Sequence, residues 1–161
     1  MNEQKAYFAG GCFWGVEYYF SKAPGVLKTT VGFMGGEKPS PTYEEVSTQD
    51  TGYAETLEVV FDPAKTDYEA MARLFFEIHD PTQVNGQGPD IGSQYRSAIF
   101  FVSAEQKATA EKLIKLLEDK KLKVATILEP ATIFYPAEEY HQKYYEKNGD
   151  TPYCHVRTKR F

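Results

Sequence analysis

Cys12 stands directly behind two glycines, Gly10 and Gly11, and directly ahead of two large rings, Phe13 and Trp14. A short apolar stretch, Lys5 to Ala9, precedes the glycines, and Phe13, Val16 and Phe20 follow at helical spacing. Cys12 therefore sits where a strand gives way to a helix, and the positive end of a helix dipole favours thiolate, the nucleophilic form of sulfur. The same place also suits a small buried cysteine of no reactivity. Phe13 and Trp14, the only tryptophan of the chain, are either core rings or a wall for an apolar part of a substrate.

A second reactive group lies on another strand. From Tyr53 to Phe61 the apolar residues alternate, and Leu57, Val59 and Phe61 share a face with Glu55. A carboxyl on an inward face must be hydrogen-bonded, paired or protonated, and burial raises its pKa until it holds a proton near neutrality. Glu55 is then a candidate general acid; at a strand end it would instead reach solvent. Cys12, Cys154, His79, His141 and His155 are the soft and imidazole donors, but no pair has the short spacing of zinc motifs, and no metal is expected. His141, among Glu139, Tyr140 and Tyr144, reads as a structural hydrogen-bonding residue.

The elements that must position these groups follow from periodicity. A strand over Lys5–Ala9, a helix to Lys22, strands over 26–33 and 53–61, a helix capped by Asp67 and a strand over 97–102 give the order strand, helix, strand, strand, helix, strand. That order is the split βαβ arrangement of an α/β, ferredoxin-like plait. Leu27, Val31 and Phe33 are expected on one face of the second strand. An extra helix follows Ser103, with Gln106 completing a capping box, and then a loop-rich C-terminal tail. Two long irregular stretches, Gly35 to Gly52 and Pro81 to Arg96, hold Tyr43, Asp90, Tyr95 and Arg96, and loops of that length are usually functional or disordered.

A chain of 161 residues is expected to form one domain, with a core over about residues 4–147 and a mobile tail over about 148–161 that carries Cys154. Eighteen Lys and Arg against 23 Asp and Glu give a net charge of −5, without the basic stripe that nucleic acid or an anionic membrane requires. No apolar run is long enough to span a membrane, and a soluble cytoplasmic protein is expected. Two cysteines do not make a disulfide scaffold. Aromatics are abundant, with 12 Tyr and 11 Phe beside the one Trp, and must form a thick core, a ligand wall, or both.

The segment Gly11-Cys12-Phe13-Trp14-Gly15 resembles the signature of the peptide methionine sulfoxide reductase A family. Four further segments match in order: Pro41 to Val46 around Tyr43, Gly52-Tyr53-Ala54-Glu55, Asn85 to Ser97 with Gln87, Asp90, Gln94, Tyr95 and Arg96, and Phe134 to Tyr144 with Glu138, Tyr140, His141 and Gln142. The resemblance implies a monomeric oxidoreductase of protein repair under oxidative stress, needing no cofactor, that reduces the S epimer of methionine sulfoxide, free or in proteins. It implies that Cys12 attacks the sulfoxide sulfur, Phe13 and Trp14 hold the methyl group, and Glu55 protonates the oxygen. Tyr43 and Tyr95 would donate hydrogen bonds to that oxygen, and Asp90 would bind the substrate's main-chain nitrogen. Cys154 would resolve the Cys12 sulfenic acid as a disulfide that thioredoxin reduces; an external thiol is the alternative. Two departures stand out: Tyr53 occupies the place of the family's usual His, and no third cysteine follows Cys154. The rival classes are a one-cysteine peroxidase and a noncatalytic ligand-binding plait.

Overall fold

The structure is a computed structural model that describes residues 3–36, 41–48, 51–148, 155 and 157–161. Strand β1 (Gln4–Gly10) ends at the glycine pair. Gly11, at φ +93°, takes the left-handed turn that L side chains avoid and sends the chain into helix α1 (Phe13–Phe20). Strand β2 (Val26–Met34), helix α2 (Tyr43–Ser47), strand β3 (Ala54–Phe61) and helix α3 (Tyr68–Ile78) follow. The long loop then folds into a small hairpin of β4 (Gly86–Gln87) and β5 (Asp90–Ile91) and a 3₁₀ turn over Ser93–Tyr95. Strand β6 (Ser97–Phe101), helix α4 (Ala104–Asp119), strands β7 (Ile127–Pro130) and β8 (Tyr135–Pro136), a 3₁₀ turn over Glu139–His141 and helix α5 (Tyr144–Asn148) complete it.

Six strands make one mixed sheet in the order β7-β6-β1-β3-β2-β8. β3 lies between β1 and β2 and runs antiparallel to both, β6 pairs antiparallel with β1, and β7 pairs parallel with β6. This is the mixed α/β class expected from the sequence. Asp67 caps α3 by accepting the Ala70 N–H at 2.7 Å. Ser103 accepts the Gln106 N–H, whereas the Gln106 amide reaches the N–H of Val102 and the carbonyl of Lys5 and so ties α4 to β1.

One sheet face carries Phe8, Val31, Phe33, Leu57, Val59 and Phe61 into the main core beneath the helices. Phe8 stacks on Phe20, Phe75 and Tyr68 at centroid distances of 5.2, 5.0 and 5.9 Å. Such pairs contribute about 0.5–1.5 kcal/mol each beyond area burial. The other face holds a thin second core of Ala9, Met34, Ala54, Ala98 and Phe100 covered by Tyr7, Ala131 and Phe134. Leu27 does not join the core row and is 44% exposed, because a bulge between Val26 and Lys28 shifts the register there.

The described residues at 157–160 are bonded to α3. Glu77 on α3 is only 7% exposed, and burial leaves its carboxylate in need of donors. Arg157 supplies Nε and Nη2 to Oε1 at 3.1 and 2.9 Å, and the Arg160 N–H reaches Oε2 at 3.2 Å. The Thr158 N–H donates to the Glu77 carbonyl at 2.7 Å.

Candidate active site

Cys12 is the N-cap residue of α1, and its carbonyl accepts the Gly15 N–H at 3.1 Å. The sulfur is buried, with the residue 6% exposed. Burial pushes the thiol well above its ordinary pKa, and the nearby charge of Glu55 adds to the shift; the N–H groups of Trp14 and Gly15 pull the other way. The expectation of a thiolate favoured by the helix start is therefore corrected. The helix terminus is worth roughly 1 kcal/mol, and desolvation of a buried sulfur anion outweighs it.

Sheet register brings Glu55 to the start of α1, where its charge is felt at Cys12. β1 and β3 pair Phe8 with Leu57, and continuing the antiparallel ladder two residues brings Glu55 level with Gly10. The carboxyl faces inward, as the alternation predicted, and is 1% exposed. Oε1 accepts the Phe13 N–H at 3.2 Å, while the buried Oε2 has no hydrogen-bond partner. Burial raises the Glu55 pKa to about 8, with the Phe13 N–H opposing and the charge of Asp90 adding. A carboxyl so placed is protonated at neutral pH and has one free oxygen to act with.

The rings of the motif part company. Phe13 is fully buried, tilted against Phe33, Tyr43 and His141 at 5.6, 6.1 and 5.7 Å. Trp14 is half-buried, stacks on Tyr144 at 3.8 Å, and donates its indole N–H to His141 Nδ1 at 3.1 Å. Tyr43 opens α2, where Thr42 and Glu45 form a reciprocal capping box. Its hydroxyl is hydrogen-bonded with that of Tyr95, and burial, reinforced by Glu55, pushes Tyr43 up to about 12. Tyr95 is raised further by the same two causes in the same order. Both phenols keep their protons and remain hydrogen-bond donors.

Asp90 stands on the β4–β5 hairpin, and its charge is felt at Cys12, Glu55, Tyr43 and Tyr95. The structure thus gathers Cys12, Phe13, Trp14, Tyr43, Glu55, Asp90 and Tyr95 at one place, from β3, the start of α1 and two loops. Cys154, the remaining candidate, lies outside the described residues. Tyr53 is buried, with its ring edge-on to Tyr135 at 5.9 Å.

Three residues that the sequence analysis names without giving them a supporting role hold the site in place. Gln87 grips the backbone of Asp80 through both amide atoms and presses on Gly11, where a Cβ would meet its side chain at 2.6 Å; this holds the hairpin that carries Asp90. His155 is buried, shares a hydrogen bond between Nε2 and the Gly10 carbonyl at 2.7 Å, and lies so close to Gly15 that a Cβ there would fall 2.1 Å from Nδ1. The two glycines flanking the Cys-Phe-Trp triplet are thus clearances for Gln87 and His155. Glu138 joins His141 to the start of α2 by accepting the Tyr43 N–H at 3.4 Å. The glycines signal the close approaches of Gln87 and His155 without naming the partner, and nothing local in the sequence signals the contact of Glu138.

The family model for peptide methionine sulfoxide reductase matches residues 4–161. The peptide methionine sulfoxide reductase MsrA of Nautilia profundicola is 49% identical over 150 residues, covering 93% of this chain and 87% of that protein. Among solved structures, reduced Mxr1 from Saccharomyces cerevisiae is 38% identical with a TM-score of 0.89, covering 99% of this chain and 93% of that one. Mxr1 in complex with Trx2 is 25% identical with a TM-score of 0.64, covering 96% and 89%. A buried thiol at a helix start, an inward acid with one oxygen free and paired tyrosine donors thus coincide with similarity along almost the whole length, and the chain belongs to the peptide methionine sulfoxide reductase family.

Proposed function

We propose that this protein reduces the S epimer of methionine sulfoxide, free or in proteins, and that Glu55 beside Cys12 is the observation that carries the reading. A thiol needs no adjacent protonated acid to sit in a core, but sulfoxide reduction needs one, because oxygen leaves sulfur only when protonated. Phe13 and Trp14 take the methyl group, Tyr43 and Tyr95 donate to the sulfoxide oxygen, and Asp90 binds the substrate's main-chain nitrogen.

Glu55 gives its proton to the oxygen as the Cys12 sulfur attacks the substrate sulfur. The attack forms a bond between the two sulfurs; the protonated oxygen then passes to the Cys12 sulfur as the substrate's S–O bond and the new S–S bond break, so Cys12 leaves as a sulfenic acid oxidised by one electron pair and methionine leaves reduced by one. The Cys12 proton replaces the one Glu55 gave. Protonated Glu55 also removes the charge that opposes thiolate at Cys12, so acid and nucleophile reach their working forms together.

Cys154 then attacks the sulfenic acid, a disulfide forms and water leaves. Thioredoxin is the proposed reductant of that disulfide, supported by the complex of the related Mxr1 with Trx2. We read the protein as a cytoplasmic monomer with a ferredoxin-like sheet order in its four central strands. The test is turnover of the two separated epimers. Wild type should consume the S epimer alone, Cys12→Ser neither, and Cys154→Ser should stop after about one methionine per enzyme in the thioredoxin system. An untouched S epimer, or a fully active Cys12→Ser, sinks the reading; sustained turnover by Cys154→Ser removes Cys154 from it.

A further inference from the structure

His141 is 1% exposed and lies among Phe13, Trp14, Tyr43 and Tyr140, with its ring centroid 4.4 Å from that of Tyr43. An indole N–H only donates, so the 3.1 Å bond from Trp14 makes Nδ1 an acceptor and leaves the imidazole proton on Nε2. Nε2 faces Glu138 Oε2 at 3.4 Å, an electrostatic contact without hydrogen-bond geometry, and the other oxygen of Glu138 accepts the Tyr43 N–H. One run of polar contacts, Trp14 to His141 to Glu138 to Tyr43, therefore links the ring that would take the methyl group to the helix that carries a hydroxyl donor. An imidazolium breaks it, because both ring nitrogens then donate and Nδ1–H confronts the indole N–H.

We propose that His141 is a positioning residue for substrate binding: its neutral ring, with the proton on Nε2, holds Trp14 in the orientation that closes the methyl pocket, and protonation releases Trp14 and weakens binding. The inference rests on the methionine sulfoxide reading of this site. Burial holds His141 below its ordinary pKa while Glu138 opposes the shift, so the neutral ring prevails at neutral pH. Among the described residues, Glu138 is the carboxylate that faces the ring, and Tyr43 and Tyr140 bring phenols.

Trp14 is the only tryptophan, so the emission of the intact protein reports the surroundings of this ring, the His141 hydrogen bond among them. Wild type should show an emission step with a midpoint below the imidazole value of about 6.5, and Glu138→Gln should move the midpoint lower still by removing the opposing charge. His141→Asn puts an amide oxygen near the place of Nδ1, and should lose the pH step while keeping KM close to wild type. His141→Gln puts its amide near Nε2 and leaves the indole unpaired; KM should rise about tenfold, the size of one lost hydrogen bond, with kcat moved less than about threefold. Wild-type emission that shows no step before acid unfolding begins, or equal rises in KM for the Asn and Gln variants, would overturn the proposal. A wild type that reduces neither epimer defeats the functional reading instead, and the emission titration still decides the role of His141.

Discussion

Glu55 and Cys12 oppose each other as charges, and that opposition ties the chemistry to pH. With a pKa of about 8, Glu55 is an acid below that value and loses the role as pH rises through it. The single-turnover rate of methionine formation should fall along that limb, and Glu55→Gln should lack the limb and run about 10²–10⁴-fold slower. An unchanged rate in Glu55→Gln contradicts the role. The same shift bears on stability. A carboxyl whose folded pKa is raised from 4.5 to about 8 favours the folded state fully below 4.5 and loses that contribution as pH rises through 8. Glu55→Gln should therefore gain on the order of 1 kcal/mol over wild type in denaturant unfolding near pH 9, where a functional charge is otherwise buried. Both residues were legible in the sequence: Cys12 from its place between strand and helix, Glu55 from a strict period of two. The raised thiol was not, because burial is set by packing that no local pattern contains.

Strands and helices of the central sheet could be read because their faces repeat, and the caps Asp67 and Ser103 stood where those repeats began. Reading failed where a short element depends on its neighbours. α2 is a single capped turn among glycines and prolines, the β4–β5 hairpin has two residues a side, and Leu27 is displaced by a bulge that leaves no mark in composition. Gly15 offers a test at this scale. Helix propensity alone says that Gly15→Ala gains about 1 kcal/mol. The 2.1 Å approach of its Cβ to His155 Nδ1 says otherwise, since a rigid buried ring must shift, and overpacking costs about 1–3 kcal/mol. A lower denaturation midpoint is expected, and a raised one would show that His155 does not sit against the helix.

At the scale of the molecule, two loops, one helix start and one central strand converge because the sheet fixes β1 beside β3 and the chain end is pinned to α3. Glu77→Ala should unpin that end by removing the acceptor of Arg157 and Arg160. Amide exchange over residues 157–161 is expected to rise by more than about tenfold, the effect of roughly 1.4 kcal/mol of local opening; unchanged protection would place the restraint elsewhere. The central claim is that oxygen passes from methionine sulfoxide to Cys12. The most direct measurement is the intact mass and product yield of Cys154→Ser after one exposure to the S epimer without reductant. The expected result is about one methionine per chain and one added oxygen located on Cys12, the first step of cysteine oxidation. Methionine formed with Cys12 unmodified, or oxygen found on another residue, would contradict it.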